Sequence, residues 1–300
     1  MTNMNGKRAV VLGGGGVAGI AWEIGILATL LEHGIELNDA DLVVGTSAGS
    51  VVGAALRFGV LRQVLAGQLR EAGPAEVAGT GTEAGESTIE QGELTHFSTE
   101  QFMNMMADAA RGPGGEQEAR ARIGKAALAA GQGLSEAAWV DTIRALLPAP
   151  SWPSGMFQVT TVNADDGGFT VFDATSGAEM ALAVAASCSV PGAWPPVRID
   201  GTPYMDGGMR SASNADLAAD YEKVLILSCA PEAPDSPFGP TLPQVLNNLK
   251  GRAYLIEADE ASRAAFGTNV LLQSTRRPSA LAGQEQASEV VDAVKVFWGV

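Results

Sequence analysis

The sequence predicts an α/β fold with a mainly parallel central sheet flanked by helices, in a single domain spanning residues 1–300. Two observations lead to this prediction. The apolar runs at 8–12 and 42–44 are each followed by a glycine-rich turn and then a helical pattern. The apolar content of 46% is also enough to build a large core. A β-α-β-α succession of this kind is typical of parallel sheets covered by helices.

The N-terminal part of the chain supplies the first two strand–turn–helix units. Strands are expected over 8–12 and 42–44, because both runs are apolar on both faces, as buried parallel strands are. Helices are expected over 17–33 and 48–58. Each helix is followed by a glycine, Gly34 or Gly59, which suits a helix C-terminus.

The middle of the chain, at about residues 60–150, is predicted to be a helical insertion or lid. Residues 71–94 are small, acidic and aperiodic, which predicts a mobile loop. Helices are expected over 98–110, 116–130 and 135–147, and serine residues cap the first and third of them.

Strands return in the second half of the chain. The remaining predicted elements are strands at 156–162, 168–172 and 223–228, a helix at 178–186, a hairpin at 197–205, and a helical C-terminal region at about 231–300 with helices at 242–265 and 287–298. We see no internal repeat in the sequence.

A serine lies between two glycines at the end of the second predicted strand, in Gly45-Thr46-Ser47-Ala48-Gly49. The match to G-x-S-x-G is weak by itself, because a glycine-rich chain produces such a match by chance. A strand before it and a helix after it add specificity, since a tight turn there pushes the serine hydroxyl out above the sheet edge. An ordinary Gly/Ser turn is the alternative.

The run of four glycines from Gly13 to Gly16 allows two functional interpretations. Residues 14–19 fit G-x-G-x-x-G, the fingerprint of a dinucleotide-binding oxidoreductase. That interpretation requires an acidic residue at the end of the second strand, whereas Asp39 and Asp41 precede this strand. Glycines without side chains also suit an oxyanion hole, which the nearby serine turn favours.

The base for such a serine cannot be a histidine in the usual Ser–Asp–His order. The chain has only His33 and His96, and none follows residue 96. A carboxylate must then contact the serine directly in a poorly solvated place. Asp206 is the candidate, because Gly207 and Gly208 let the backbone turn tightly after it. A simple Asp-Gly turn explains Asp206 equally well if it is taken alone.

Charge and composition narrow the choice of partners. The formal net charge of −15 argues against nucleic acid and against electrostatic adsorption to an anionic membrane. The N-terminus lacks the apolar stretch of a signal peptide, so a cytoplasmic protein is expected, with at most peripheral membrane contact. The two cysteines, Cys188 and Cys229, do not suggest a disulfide framework and are expected to be buried. No cofactor and no metal are expected.

Together these motifs resemble the patatin-like acyl hydrolases. The signature of that family is a glycine-rich loop, a G-x-S-x-G elbow and a later D-G-G or D-G-A, present here at 14–19, 45–49 and 206–208. The run at 185–196, Ala-Ala-Ser-Cys-Ser-Val-Pro-Gly-Ala-Trp-Pro-Pro, is also family-like. The similarity covers about residues 8–65 and 135–230, with all motifs in order.

The resemblance implies a three-layer patatin-like fold and a serine lipid acyl hydrolase without a metal or cofactor. It implies that Ser47 is the nucleophile and Asp206 the base of a dyad that cleaves fatty-acyl esters through an acyl-enzyme. The substrate would be an acyl lipid or fatty-acid ester, reached by transient contact with a membrane surface. The remaining implied site residues are the oxyanion or substrate-binding Gly14, Gly15, Gly16 and Ala48, with Gly15 and Gly16 as preferred donors, and the motif glycines Gly19, Gly45, Gly49, Gly207 and Gly208.

One departure from the family concerns the substrate. Many members carry Lys or Arg just before the last glycine of the loop, where this chain has Ala18. If that basic residue serves a phosphate headgroup, neutral acyl esters are expected here rather than phospholipids; the sequence leaves open the choice between an esterase and a phospholipase A-type activity. A transacylase using the same site and a noncatalytic lipid-binding protein are the alternatives, and the intact serine, aspartate and glycines argue against the second. The sequence leaves the oligomeric state open.

Overall fold

The computed structural model describes residues 6–70, 97–130 and 133–300. The strands in this part of the chain are β1 (Arg8–Leu12), β2 (Leu42–Gly45), β3 (Phe157–Asn163), β4 (Phe169–Phe172), β5 (Val197–Ile199), β6 (Thr202–Asp206), β7 (Lys223–Ser228) and β8 (Ala253–Glu257). The α-helices are α1 (Gly16–Glu32), α2 (Ala48–Arg57), α3 (Leu61–Leu69), α4 (Thr99–Arg111), α5 (Glu116–Ala129), α6 (Glu136–Leu146), α7 (Met180–Ser187), α8 (Leu242–Leu249), α9 (Glu260–Phe266) and α10 (Arg276–Trp298).

The eight strands form one mixed sheet, in which hydrogen-bonded neighbours follow the order β5-β6-β3-β2-β1-β7-β8 and β4 also pairs with β3. The strands β3, β2, β1, β7 and β8 pair in parallel, whereas β4, β5 and β6 join through antiparallel pairs. The predicted fold class, a mainly parallel sheet flanked by helices, is confirmed.

Alternate residues of β1 face two hydrophobic layers, as the period of a strand requires. Val10 and Leu12 belong to the larger cluster, which contains residues of α1, α2 and α10. Ala9 and Val11 belong to a smaller cluster with residues of α8 on the other face of the sheet. Because helices cover both faces, the sheet is the middle of three layers.

The predicted helix over 242–265 is wrong in its centre, where the chain forms β8. The helix α8 ends at Lys250, which adopts the left-handed conformation, and Gly251 follows with a φ of +83°. Ala253–Glu257 then pairs in parallel with β7 and extends the sheet. The Lys-Gly pair ends the helix, and the apolar residues after it are held by the edge of β7.

The predicted insertion at about 60–150 contains α3, α4, α5 and α6 in its described part. The loop predicted at 71–94 and His96 lie outside the described residues. The domain boundaries and a lid function remain predictions. Within the described ranges, no helix combines the length and apolarity needed to cross a bilayer.

Two strands meet end to end along one edge of β3. The strand β4 pairs with Val159–Val162 of β3, while β2 pairs with residues 157–159 and β6 with residues 161–163. A strand has only two edges, so β2 and β6 share the edge opposite β4. Because β2 runs parallel and β6 antiparallel to β3, their carboxyl ends point toward each other at Thr160.

The contact between α2 and β1 leaves no space for a side chain at Gly49. A Cβ atom there would lie 2.1 Å from the carbonyl oxygen of Leu12. We therefore expect Gly49→Ala to lower the free energy of unfolding by about 3 kcal/mol, as overpacking does. A Cβ atom at the half-buried α3 position Gly67 would meet only an Arg70 side-chain atom at 3.9 Å, so Gly67→Ala should stabilise the protein by up to about 1 kcal/mol. Urea denaturation of both variants tests this, and equal effects would contradict it.

Candidate active site

Ser47 occupies a strained turn between β2 and α2. Its φ of 52° and ψ of −118° lie outside the regions that L-residues prefer, as expected for a nucleophile elbow. A Cβ atom at Gly45 would lie 2.6 Å from the Gly49 carbonyl oxygen. Strain of this kind persists only where the surroundings hold it in place.

Asp206 ends β6 and faces Ser47 across the gap between the two strand ends. It is 2% exposed, and Ser47 is 7% exposed. The Asp206 Oδ1 atom accepts a hydrogen bond of 2.7 Å from the Gly208 N–H, while Oδ2 is buried and accepts none of standard geometry from any described residue. The hydrogen bond to Oδ1 therefore holds the side chain in place, and Oδ2 remains available to accept a hydrogen bond.

Burial raises the pKa of Asp206 to about 7, and hydrogen bonding from the Ser47 hydroxyl and the Gly208 N–H limits this rise. The hydroxyl thus lies within electrostatic reach of the carboxyl group, in a looser contact than a standard hydrogen bond. A carboxyl group with a pKa near neutrality is a stronger base than an ordinary aspartate. The structure brings together the two residues that the sequence predicted as nucleophile and base.

The glycine loop between β1 and α1 lies next to the serine. A Cβ atom at Gly14 would be 3.6 Å from the Ser47 Cβ. The Gly14 N–H donates to the Ala212 carbonyl at 2.8 Å, so this group is not free to bind an oxyanion, in contrast to the prediction. The N–H groups of Gly15, Gly16 and Ala48 donate to no acceptor among the described residues. They are the candidate donors.

Backbone hydrogen bonds join the elbow to the glycine loop. The Thr46 N–H donates to the Leu12 carbonyl at 3.0 Å, and the Gly49 N–H donates to the Gly13 carbonyl at 3.0 Å. The two turns therefore keep a fixed relative position without side-chain contacts between them.

Three consecutive residues at the end of α7 hold both reactive residues. The sequence analysis noted the run 185–196 as family-like but did not assign this role to it. The Ser47 N–H donates to the Ser187 Oγ at 2.9 Å, and the Cys188 thiol donates to the Ser47 carbonyl at 3.3 Å. The Asp206 N–H donates to the Ser189 carbonyl at 3.1 Å. The available signal was two serines at the end of an otherwise apolar helix.

Asn214 ends the stretch from Asp206 that also supports the family resemblance, and it connects the strands around the site, a role that was not predicted. Its amide nitrogen donates to the hydroxyl oxygens of Thr46 at 3.0 Å and Thr160 at 3.2 Å, and to the Gly207 carbonyl at 3.2 Å. The side chain is fully buried, and its φ of 48° is a conformation that asparagine tolerates. One hydrogen-bond donor, the Asn214 side-chain amide, thus connects the elbow, β3 and the turn after Asp206.

The described histidine lies far from this site. His33 caps the opposite end of α1, where its Nδ1 atom is 2.9 Å from the Thr29 carbonyl oxygen. The helix has 17 residues and is about 25 Å long at 1.5 Å per residue. In the described part of the chain, the carboxyl group of Asp206 is the candidate base beside Ser47.

A serine on a strained strand–helix turn beside a buried carboxyl group is the arrangement of a serine hydrolase. The chain belongs to the patatin-like phospholipase family, whose model matches residues 10–219. This confirms the family predicted from the motifs.

A comparison with solved structures matches this chain to VipD from Legionella pneumophila and to the type III effector protein ExoU. VipD is 14% identical with a TM-score of 0.47, over 96% of this chain and 67% of VipD. ExoU is 16% identical with a TM-score of 0.35, over 95% of this chain and 53% of ExoU. A comparison with curated proteins gives no match.

The Asn214 amide is predicted to be essential for the stability of the site. Asn214→Asp keeps the size of the side chain but removes the donor and places a carboxyl group against the Gly207 and Ser211 carbonyl oxygens. We expect a loss of about 3 kcal/mol or more in the free energy of unfolding, because buried acceptors lose their partner. Asn247→Asp on the exposed face of α8 should change it by less than about 0.5 kcal/mol. Similar denaturation midpoints for the two variants would contradict this role.

Proposed function

We propose that this protein is a serine lipid acyl hydrolase that uses a Ser47–Asp206 dyad and an oxyanion hole in the glycine loop. The observation that carries the proposal is the buried Asp206 carboxyl group, whose Oδ2 atom has no standard hydrogen-bond partner in the described chain and whose pKa is near 7. Such a group is suited to take a proton from the Ser47 hydroxyl. Membership in the patatin-like phospholipase family supports a lipid ester as the substrate.

The first half of the proposed reaction forms an acyl-enzyme. The Ser47 oxygen attacks the ester carbonyl carbon while its proton passes to Asp206. The carbonyl oxygen becomes an oxyanion that the N–H groups of Gly15 and Gly16 stabilise, with Ala48 as a further donor. The C–O bond to the alcohol then breaks, and Asp206 returns the proton to the leaving alkoxide.

The second half releases the fatty acid. A water molecule gives a proton to Asp206 and attacks the acyl carbon, and the same N–H groups stabilise the second oxyanion. The bond to Ser47 breaks, and the serine oxygen recovers the proton from Asp206. The dyad thereby returns to its starting protonation state.

Neutral fatty-acyl esters are our preferred substrate class. Ala18 occupies the position where many family members carry a basic residue, and in this protein it is fully buried with its N–H donating to the Val270 carbonyl at 3.0 Å. The net charge of −15 also disfavours anionic headgroups. We place the substrate in a lipid surface that the protein contacts transiently, for which the 60% exposed Met103 on α4 offers an apolar contact.

Transacylation is the second candidate function, and the burial of the dyad favours it. Ser47 is 7% exposed and Asp206 is 2% exposed, so water has little access to an acyl-enzyme. An acceptor alcohol bound beside the acyl group would then compete with water for the acyl carbon. Glycerol added to the ester assay would yield an acylglycerol if this activity is present.

Loss of either member of the dyad should abolish ester cleavage. We expect Ser47→Ala and Asp206→Asn each to lower kcat for p-nitrophenyl esters by about three orders of magnitude or more, because neither partner acts alone. The assay should cover several acyl chain lengths, and circular dichroism should confirm that each variant is folded.

Two exposed positions on α10 provide matched controls. Ser288→Ala and Asp292→Asn repeat the same chemical changes away from the site and should retain wild-type kcat. Wild-type protein that cleaves no ester and does not react with a fluorophosphonate probe would refute the hydrolase proposal. Binding to lipid vesicles without turnover would then favour a noncatalytic lipid-binding role.

The rate should rise with pH through neutrality. The dyad requires Asp206 in its ionised form, and this group titrates with a pKa of about 7. We therefore expect kcat/KM, which reports the free enzyme, to increase with pH with a midpoint of about 7. A pH series with one short-chain ester measures this. A profile already flat below neutrality would show that Asp206 ionises at its ordinary pKa or is not the base.

A further inference from the structure

Glu23 is a fully buried carboxyl group on α1 that the proposed mechanism does not use. Its exposure is 0%, and neither of its carboxyl oxygens has a hydrogen-bond partner of standard geometry among the described residues. Buried polar groups in native proteins are nearly always paired, so such a group calls for an explanation. A leucine at this position would avoid the desolvation cost.

The position of Glu23 directs its side chain toward the glycine loop. Gly19 and Glu23 lie one turn apart on one side of α1, Gly15 is the residue that precedes this helix, and helical side chains tilt toward the N-terminus. Cβ atoms at Gly15 and Gly19 would lie 2.4 and 3.0 Å from the Cys229 Sγ, so this side of α1 faces the chain that follows β7. The carboxyl group therefore lies beneath the loop that carries the candidate oxyanion donors.

Two groups, the Gly13 N–H and the Cys229 thiol, interact electrostatically with the Glu23 carboxyl group. Burial raises its pKa well above the usual value, and the Gly13 N–H opposes this rise. That N–H makes its standard hydrogen bond with the Leu227 carbonyl at 3.2 Å. Cys229 follows β7, and the pKa of its thiol is raised by burial and by Glu23.

Among the described residues, no charged group stabilises the ionised form of Glu23. The helices α2, α3, α9 and α10 also pack against α1, yet none of their described side chains shifts the pKa of this carboxyl group. A negative charge at Glu23 would therefore be uncompensated.

We propose that Glu23 is a positioning residue that supports the glycine loop in its neutral form, and that loss of its proton disables the oxyanion hole. The proposal rests on the hydrolase function proposed above. A neutral carboxyl group retains an O–H and adds no charge beneath the loop, whose Gly13 N–H lies within its electrostatic reach. A carboxylate would place a negative charge beneath the N–H groups that must stabilise a negative oxyanion, and the low dielectric of the interior strengthens the repulsion.

The test compares three proteins across neutral and alkaline pH. Glu23→Leu should lower kcat by about tenfold or more with little change in KM, because hydrogen-bond donors aimed at the oxyanion are misplaced. Glu23→Gln, which keeps a donor and cannot ionise, should recover most of this loss. Wild type should lose activity at alkaline pH, and Glu23→Gln should not. Glu289→Gln on the exposed face of α10 is the control and should follow the wild-type profile.

The following kinetic results would contradict the proposal. Equal kcat values for Glu23→Leu and wild type would show that the carboxyl group does not support the loop. An alkaline decline shared by wild type and Glu23→Gln, or no decline in wild type, would show that ionisation of Glu23 does not disable the site.

A readout without catalysis separates this proposal from the hydrolase proposal. The amide NMR signals of Gly15 and Gly16 should shift with alkaline pH in wild type and stay constant in Glu23→Gln. Wild type should also lose stability relative to Glu23→Gln as pH rises, because the unfolded carboxyl group ionises at a lower pH than the folded one. If these amide signals shift with pH in a protein without esterase activity, the result would support the role of Glu23 and refute the hydrolase proposal. Amide signals of Gly15 and Gly16 that do not shift with pH in wild type would refute the role of Glu23 even if ester cleavage is normal.

Discussion

The register of β3 is the constraint on which the candidate site depends. Gly45 at the end of β2 pairs with Val159, and Asp206 at the end of β6 pairs with Thr161. One residue, Thr160, separates the two strand ends. Because strand side chains alternate between faces, a slip by one residue in either pairing would turn its partner to the wrong face of the sheet. Ser47 and Asp206 lie together because the pairings of β2 and of β6 with β3 bring the two strand ends to the same place.

The site combines two unfavourable features, a strained backbone at Ser47 and a buried carboxyl group at Asp206. Both are held by hydrogen bonds from neighbouring segments, namely the end of α7 and the amide of Asn214. The same exclusion of water raises the pKa of Asp206 and strengthens any hydrogen bond to an oxyanion. Burial therefore contributes at the same time to the basicity of Asp206 and to the electrostatics of the proposed oxyanion hole.

The sequence was most informative where one residue type or a short local pattern determines the structure. Apolar runs indicated the parallel strands, and the spacing of glycines around Ser47 indicated the elbow. Asp206 was found through its glycines and the family resemblance. The roles of Ser187 and Asn214 were not predicted because their partners lie 140 and 168 residues away in the chain, and a buried serine or asparagine looks like a surface residue in a sequence. The strand β8 was missed because a neighbouring edge, rather than its own periodicity, holds it.

The end-to-end meeting of β2 and β6 also separates the chemistry from the connecting chain. The residues between α3 and β3 enter and leave the sheet without contributing a strand in the described ranges. Parts of this connection nevertheless pack against the site, because Trp139 of α6 donates to the Ser189 Oγ at 3.2 Å and Ile123 of α5 belongs to the same hydrophobic cluster as Met205. Insertions in such connections cost little closure entropy, so we expect them to be tolerated best away from these contacts. Exchanging the remaining segments of this connection is therefore a rational route to new substrate selectivity.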